Sequence, residues 1–161
     1  MVTYRIAEPI SKEVAEALSL YSPLLQKLLS IRGITTEETA RAFLNPSYDE
    51  HLHDPFLLHD MEIAVTRILS AVKNNERIAI YSDYDCDGIP GAVVLHDFFK
   101  AIGYDNFQNY IPHRHYEGFG FNTDAVEKLG DDKVMLIVTI DCGTSDFNAV
   151  EKAKSLGIDV I

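Results

Sequence analysis

Two clusters of acidic and small residues each follow a short apolar run of the sequence. The first, Asp83-Tyr84-Asp85-Cys86-Asp87-Gly88, comes directly after the run at 78–81, and the second begins at Asp141 after the run at 134–140. Aspartates that converge repel one another, and a cation between them relieves that repulsion. Carboxylate oxygens are hard ligands that favour Mg²⁺ or Mn²⁺ over metals that prefer sulfur. The two clusters predict a divalent-metal site if the fold brings them together.

The same aspartates have a plainer interpretation as turn and helix-capping residues, because Asp often occupies both positions at protein surfaces. This interpretation applies to Asp83 and Asp87 in the first cluster and to Asp141 in the second. Three alternating aspartates favour the metal site for the first cluster, whereas Asp141 considered alone leaves both interpretations open.

The string DxDxDG also occurs in two unrelated kinds of site. An EF-hand loop has a bidentate glutamate at its twelfth position and a helix before it, but the twelfth residue counted from Asp83 is Val94, and a strand-like run precedes the loop. A haloacid-dehalogenase-type phosphatase would use Asp85 as a nucleophile in a DxDGT string directly after a strand. Ile89 replaces the threonine of that string, and Ser82-Asp83-Tyr84 separates the strand from Asp85. The EF-hand loop does not fit the sequence, and the phosphatase site fits it poorly.

The elements that would position these clusters alternate along the second half of the chain. Short apolar runs alternate with helix-like segments, which indicates βαβ units and a parallel sheet. The runs are 78–81, 110–111, 134–140 and 160–161, and the helical segments are 91–102, 123–129 and 146–156. Ligands of such sheets bind beyond the carboxyl ends of the strands, where both acidic clusters fall.

The first half of the chain reads as helical. Apolar residues spaced three and four apart predict a helix over Ser11–Leu29 that Pro23 breaks or restarts, and another over Met61–Val72. Thr35 and Glu38 have the spacing of a capping box that opens a short helix between these two. The predicted fold class is therefore α/β, a parallel sheet with flanking helices in residues 76–161, preceded by a small helical segment in residues 1–75.

Composition narrows the class of protein. The 161 residues are 47% hydrophobic, which is enough for a buried core, and no apolar run reaches the roughly 18 residues that cross a bilayer. Residues 1–9 lack the pattern of a signal peptide, so we expect a cytoplasmic protein without a membrane segment.

Cys86 and Cys142 form no metal-binding or disulfide pattern and are expected to be partly buried free thiols. The net charge of −11 argues against non-specific nucleic-acid binding, although bound metal would offset part of it.

Several collinear segments resemble one known family. IAIYSDYDCDG (Ile78–Gly88) closely resembles motif I of the RecJ branch of the DHH phosphoesterase superfamily, and LIVTIDCG (Leu136–Gly143) resembles its motif II. YIPHRHYEGFGFN (Tyr110–Asn122) resembles the YIPxRxxEGYG segment of the same branch, while Arg32–Pro46 and His53–Val65 are similar to its helical lead-in. The resemblance extends over residues 32–161.

The resemblance implies a function and a set of site residues. Asp85 and Asp87 would bind metal from motif I, Asp141 would bind it from motif II, and Asp83 would be a further catalytic contributor. The implied cofactor is Mn²⁺ or Mg²⁺, and the implied reaction is hydrolysis of phosphodiester bonds in single-stranded DNA by metal-activated water, as in a 5′–3′ exonuclease of DNA repair and recombination. Such a reaction requires no covalent nucleophile, so that role is not expected of Ser82, Thr139 or Thr144.

The implied partners are single-stranded DNA and repair or replication proteins, and the oligomeric state stays open. Arg114 and His115 are the candidate nucleic-acid ligands, because an arginine can fork onto a phosphate and nearby aromatic rings can stack on unpaired bases. The alternative is a glycine turn with packed aromatic residues and solvated histidines. Metal binding by His113 and His115 is not expected, because the resembled family does not use these positions.

The sequence departs from the family in one respect. The Asp-His-His motif that names the superfamily is expected just after the strand at 160–161, and it is not among these residues. We therefore expect little or no nuclease activity from these 161 residues alone.

Two other functions remain as alternatives. One is a DHH phosphodiesterase acting on oligonucleotides, cyclic dinucleotides or pyrophosphate, although such enzymes usually carry a histidine in motif I and Tyr81–Tyr84 contains none. The other is a non-catalytic scaffold in a replication or repair complex, against which the retained aspartates argue.

Overall fold

The computed structural model describes residues 7–161. The prediction that residues 1–9 carry no signal peptide therefore falls largely outside the described residues. The chain divides into two compact units, the first ending at Leu57 and the second comprising Leu58–Ile161. The functional boundaries predicted from the sequence, 1–75 and 76–161, stay a prediction.

The first unit is helical. Its α-helices are α1 (Lys12–Ala17), α2 (Pro23–Ile31), α3 (Glu37–Leu44) and α4 (Tyr48–His51), followed by a 3₁₀ turn at Pro55–Leu57. Leu18, Leu29 and Ala40 are its buried core residues. These three come from α2, α3 and the end of α1, so each of the three longer helices contributes to one small core.

Two predictions about helix starts in this unit have different outcomes. The predicted restart at Pro23 is confirmed, since Pro23 occupies the first turn of α2 and Ser22 caps it. The predicted cap at Thr35 is wrong by one residue, because the Thr36 hydroxyl accepts the N–H of Thr39 at 3.3 Å. Glu37 and Glu38 both lie in the first turn of α3, where the helix dipole favours negative charge.

The second unit is a four-stranded parallel sheet with flanking helices, as predicted. Its elements are α5 (Met61–Lys73), β1 (Ile78–Ser82), α6 (Gly88–Ala101), β2 (Phe107–Tyr110), α7 (Thr123–Asp131), β3 (Leu136–Ile140), α8 (Phe147–Ser155) and β4 (Asp159–Val160). The strand order is β2-β1-β3-β4, which makes β1 and β3 the central pair. None of the helices within residues 7–161 has the length and apolar character that spanning a bilayer requires.

The two faces of the sheet bury two separate cores. Ala79 and Tyr81 of β1 pack with α7 and α8, while Ile78 and Ile80 pack with α5 and α6. Successive side chains of a strand point to opposite faces. A strand covered by helices on both faces therefore reads as the continuous apolar run seen at 78–81.

The second strand differs from its prediction. It spans Phe107–Tyr110 and not residues 110–111, because Phe107 pairs with Ile78 and Tyr110 pairs with Tyr81. Gln108 in this edge strand makes polar side-chain contacts, accepting from Arg77 at 2.6 Å and donating to Asp132 at 3.1 Å. Because this strand contains polar residues such as Gln108, a search for apolar runs does not detect it.

Ser82, the last residue of β1, gives the first testable prediction. Its side chain is fully buried, and its hydroxyl has no hydrogen-bond partner among the described residues. An unpaired buried hydroxyl is costly, so Ser82→Ala is expected to raise the free energy of unfolding by about 1 kcal/mol. Urea denaturation of both chains measures this difference. A loss of more than about 1 kcal/mol would show that the hydroxyl has a stabilising partner.

Candidate functional site

The carboxyl ends of β1 and β3 lie side by side. Ser82 pairs with Ile140 in the register of the two parallel strands, and the N–H of Asp83 donates to the carbonyl oxygen of Ile140 at 3.2 Å. The loops that leave the two strands therefore start at the same edge of the sheet. One begins at Asp83 and the other at Asp141.

Three of the predicted aspartates come together at this edge. Asp85, Asp87 and Asp141 each offer a carboxylate oxygen, and these three oxygens all lie within 4.8 Å of one another. Asp85 is half-buried, and the other two are exposed. The structure thus brings the residue from the second cluster against two residues of the first. We refer to these three residues as the acidic cluster.

Asp83 is placed differently from the acidic cluster. Its carboxylate is half-buried and accepts the N–H of Tyr84 at 2.8 Å. Among the described residues it does not belong to the group of converging carboxylates. Its predicted catalytic role stays a prediction.

Backbone groups fix the geometry of the first loop. The Asp85 carboxylate accepts the N–H of Gly88 at 3.1 Å and that of Asp87 at 3.4 Å, which caps the start of α6. Gly88 itself lies so close to the preceding loop that a Cβ atom there would stand 2.6 Å from the carbonyl oxygen of Asp83. Only glycine fits this position without moving the backbone.

The backbone of the second loop is also unusual. Asp141 has a φ of 59°, a left-handed conformation that Asp and Asn adopt more readily than other residues with side chains. This conformation turns the chain directly after β3. The side chain of Asp141 consequently leaves the strand at the point where it meets Asp85 and Asp87.

Hydrogen bonds and repulsion between like charges shift the pKa values of Asp85 and Asp87 in opposite directions. The Gly88 N–H and the hydrogen bond with Asp87 lower the pKa of Asp85. The hydrogen bond with Asp85 and the charge of Asp141 raise the pKa of Asp87. A cation placed among the three groups would favour their charged forms and remove this repulsion.

The candidate nucleic-acid ligands lie in the segment between β2 and α7. The guanidinium carbon of Arg114 stands 4.4 Å from the centre of the Tyr84 ring, a cation–π arrangement. Tyr84 is part of the first acidic loop, so Arg114 lies beside that loop. The ring of His115 is exposed and lies 5.8 Å from the ring of His113. The roles of Arg114 and His115 in binding stay predictions.

Sequence reasoning missed Glu117 in the same segment. The Glu117 carboxylate accepts hydrogen bonds from the N–H of His113 at 2.7 Å, from the ammonium group of Lys128 at 2.8 Å, and from the hydroxyl of Tyr110. Its side chain is only 16% exposed. Lys128, followed by Tyr110 and the His113 N–H, lowers the pKa of Glu117 to about 2. The only signal for Glu117 in the sequence was that one acidic residue stands in a loop rich in aromatic and basic residues.

The cysteines and hydroxyl residues take no part in the acidic cluster. Cys142 is half-buried as expected, but the expectation is wrong for Cys86, which is exposed because it lies on the open loop between Asp85 and Asp87. The Thr139 hydroxyl donates to the carbonyl oxygen of Ile161 at 3.0 Å. The Thr139 hydroxyl is thus engaged in a structural hydrogen bond, and the Ser82 side chain is fully buried. Neither hydroxyl is placed to act on a substrate.

Comparison with known proteins places the fold and its motifs in one family. The model of the DHH family, N-terminal domain, matches residues 77–161, which include the whole sheet and the acidic cluster. The chain belongs to the DHH family. The resemblance inferred from the motifs is therefore confirmed at the level of the family.

Named relatives of this DHH-family chain are exonucleases. The single-stranded-DNA-specific exonuclease RecJ of Bacillus subtilis (strain 168) is 39% identical over 151 residues, which are 93% of this chain and 19% of the relative. RecJ of Escherichia coli (strain K12) is 29% identical over 150 residues, 92% of this chain and 25% of the relative. The chain thus spans about a fifth to a quarter of the length of these relatives.

A solved structure shares the fold of the DHH-family chain. The crystal structure of RecJ from Thermus thermophilus in complex with Mn²⁺ aligns with a TM-score of 0.57 at 23% identity. The alignment covers 92% of this chain and 20% of that protein. The fold of this chain is therefore similar to that of one part of the solved RecJ.

The carboxylate of Glu117 predicts a pH dependence for the stability of this DHH-family chain. Because its pKa falls from the ordinary value of 4.5 to about 2, its stabilising contribution is present above pH 4.5 and is lost as the pH falls towards 2. The difference in free energy of unfolding between the unsubstituted chain and Glu117→Gln is expected to shrink over that interval. Denaturant titrations between pH 7 and pH 2 measure it.

Glu127→Gln is the matched control for this measurement. Glu127 pairs with Lys152 at 2.5 Å, but its side chain is 57% exposed, so this surface pair contributes little. A Glu117 difference that stays constant from pH 7 to pH 2 would contradict the prediction.

Proposed function

We propose that this chain is the metal-binding part of the catalytic domain of a phosphodiesterase that hydrolyses single-stranded DNA. In this proposal Asp85, Asp87 and Asp141 hold Mn²⁺ or Mg²⁺. The observation that carries it is the convergence of three carboxylates from the ends of two parallel strands, with their oxygens within 4.8 Å. DHH-family membership and the names of the relatives support it.

The chemistry of the donor set fits a hard divalent cation. All three donors of the acidic cluster are carboxylate oxygens, which suit Mg²⁺ and Mn²⁺ better than metals that prefer thiolate or imidazole ligands. The hydrogen bond with Asp85 and the nearby charges of Asp141 and Asp85 raise the pKa of Asp87, and a cation bound among these carboxylates would favour their charged forms. The solved RecJ from Thermus thermophilus contains Mn²⁺, which agrees with this donor set.

Each residue of the acidic cluster has a distinct task in this proposal. Asp85 is oriented by the two N–H groups at the start of α6, and Asp141 is oriented by its left-handed backbone. Asp87 lies on the exposed side of the loop, where a substrate phosphate can approach. When bound, the metal supplies charge neutralisation and a more acidic water ligand. Asp83, two residues before Asp85, is proposed as a further acidic contributor to catalysis.

Features of the segment after β2 support single-stranded DNA as the substrate. We assign a phosphate-binding role to Arg114, which stacks on Tyr84 beside the acidic loop. His115 is exposed next to it, and the side chains of Tyr116 and Phe119 are 86% and 82% exposed. Exposed aromatic rings can stack on unpaired bases, which a duplex does not offer.

The wider role follows from the relatives. We propose 5′–3′ exonuclease action in DNA repair and recombination, in the cytoplasm, with repair or replication proteins as candidate partners. The printed names of the relatives specify only single-stranded-DNA-specific exonuclease activity. Direction, pathway and partners therefore belong to the proposal.

A chimeric enzyme tests the activity. The matched segment of Bacillus subtilis RecJ is replaced by this chain, and the release of nucleotides from labelled single-stranded DNA is measured with and without Mn²⁺. The expected result is metal-dependent digestion that falls by at least about 100-fold with Asp85→Asn, since substituting even an outer-sphere partner of a metal site commonly costs 10- to 100-fold.

Asp97→Asn is the control for the chimera, because Asp97 is exposed on α6 ten residues beyond Asp87. Full activity in the Asp85→Asn chimera would contradict the proposed metal ligand. A folded chimera that leaves single-stranded DNA intact in Mn²⁺ would contradict the proposed activity.

A further inference from the structure

The segment between β2 and α7 carries Arg114, and its conformation decides where the guanidinium group lies. Arg114 falls within a short turn in which the N–H groups of Tyr116 and Glu117 both donate to the carbonyl oxygen of His113, at 3.1 and 2.8 Å. A turn of this kind on the surface would ordinarily sample several conformations. Something must hold it if Arg114 is to stay beside Tyr84.

The carboxylate of Glu117 closes this turn from the other side. It accepts the backbone N–H of His113 at 2.7 Å. His113 and Glu117 are therefore joined twice, once through the backbone and once through the Glu117 side chain. Arg114 lies inside the ring that these two connections form.

The same carboxylate attaches the turn to the elements on both sides of it. The hydroxyl of Tyr110, at the end of β2, donates to Glu117, and Lys128 of α7 donates to it at 2.8 Å. The Lys128 ammonium group also donates to the Tyr110 hydroxyl at 3.2 Å. One carboxylate thus connects a strand, a turn and a helix.

The attachment point in β2 is rigid. The ring of Tyr110 stacks on the ring of Tyr81 with centroids 5.3 Å apart and planes 8° from parallel. Tyr81 is fully buried in the central strand β1, and its hydroxyl donates to the carbonyl oxygen of Gly120 at 2.9 Å. Tyr81 therefore holds the segment on both sides of the turn, at Tyr110 before it and at Gly120 after it.

We propose that Glu117 is a positioning residue: through Tyr110 and Lys128 its carboxylate fixes the 113–117 turn and so holds the Arg114 guanidinium against Tyr84 beside the acidic cluster. The consequence for substrate binding rests on the proposed function, whereas the position of Arg114 does not. Because three donors occupy its oxygens, Glu117 acts through Arg114 and not on the substrate. Its lowered pKa agrees with a carboxylate that stays ionised near neutral pH.

The NMR signal of the Arg114 side chain measures this position directly. A guanidinium 4.4 Å from the Tyr84 ring centre experiences the ring current, which shifts its Nε–Hε signal upfield. Arg114→Lys removes the signal and so assigns it, and Tyr84→Leu gives its position without the stack. These spectra require neither metal nor DNA.

The expected result is a graded loss of the upfield shift. In Glu117→Ala the signal moves to the position found in Tyr84→Leu, and in Glu117→Gln it moves part of the way, because the amide keeps an acceptor but loses the charge that holds Lys128. Glu127→Gln, which removes an equal charge from α7, leaves the signal in place. The backbone amide spectrum of each variant reports whether it is folded.

An Arg114 signal that keeps its full upfield shift in folded Glu117→Ala would overturn the proposal. If that variant does not fold, Glu117→Gln decides, and an unchanged signal there overturns the proposal equally. A merely stabilising role for Glu117 would lower the melting temperature without moving this signal in the folded chain.

Titration with a short oligothymidylate in Mg²⁺ separates this proposal from the proposed function. Glu117→Ala is expected to need about tenfold more oligonucleotide than the unsubstituted chain to shift the remaining Arg114 signal, as expected for loss of one charge-assisted hydrogen bond. Equal oligonucleotide affinity in the two chains would overturn the consequence for substrate. If the unsubstituted chain shows no response at Arg114, the proposed function loses its phosphate ligand, while the ring-current shift still decides the role of Glu117.

Discussion

Substituting Asp141 by Asn is expected to lower the affinity of the chain for Mn²⁺ by at least about tenfold, because one of three converging carboxylates loses its charge. Asp141 is the only member of the acidic cluster that comes from the loop after β3. Asn also tolerates the left-handed φ of 59°, so the backbone is expected to keep its conformation. The electron paramagnetic resonance signal of free Mn²⁺ during a titration measures the affinity.

Two further substitutions sharpen this prediction. Asp97→Asn removes the same charge from an exposed position of α6 and is expected to leave the affinity unchanged. Asp141→Ala is expected to lose affinity as Asn does and also to lose about 1 kcal/mol of stability, because alanine is strained at positive φ. Equal Mn²⁺ affinity in Asp141→Asn and the unsubstituted chain would remove Asp141 from the site.

Gly88→Ala is expected to have the largest effect on stability, about 2–4 kcal/mol, with loss of Mn²⁺ binding in the fraction that stays folded. The new Cβ would lie 2.6 Å from the carbonyl oxygen and 2.9 Å from the carbonyl carbon of Asp83. Both are backbone atoms, so the loop between β1 and α6 must shift. That shift would break the cap that Asp85 makes on the Gly88 N–H.

Gly130→Ala provides the contrast. A Cβ at Gly130 in α7 would meet only side-chain atoms, the end of Leu156 at 3.1 Å and that of Ile158 at 3.7 Å. Since alanine favours helix over glycine by up to about 1 kcal/mol, this variant is expected to be neutral or slightly more stable. Chemical denaturation with a parallel Mn²⁺ titration measures both variants. A Gly88→Ala chain as stable and as metal-competent as Gly130→Ala would contradict the role given to the close approach.

The parallel sheet and the convergence of the aspartates were predictable because both follow from short-range rules. The apolar run at 78–81 marks a strand buried on both faces, and the rule that ligands bind beyond the strand ends pointed to the acidic segments at 83–88 and 141. The resemblance to the family then singled out Asp85, Asp87 and Asp141 as the metal ligands. Their meeting within 4.8 Å agrees with that rule.

The features that the sequence did not reveal depend on contacts between distant residues. The Glu117 carboxylate takes its partners from His113 and Tyr110, four and seven residues before it, and from Lys128 of α7, eleven residues after it. Nothing in a local pattern indicates that Lys128 and Tyr110 will meet at one carboxylate. The polar edge strand at Phe107–Tyr110 was missed for a related reason, since its pairing with β1 is set by the sheet and not by its own apolar content.

The position of the metal tests the central claim most directly. Crystals of the chain soaked in Mn²⁺ can be measured at the manganese absorption edge, where anomalous scattering locates the ion. We predict a peak in contact with carboxylate oxygens of both loops, Asp85 or Asp87 on one side and Asp141 on the other. A peak bound to one loop alone, or density for all three carboxylates with no peak between them, would contradict the claim that the ends of β1 and β3 together form a metal site.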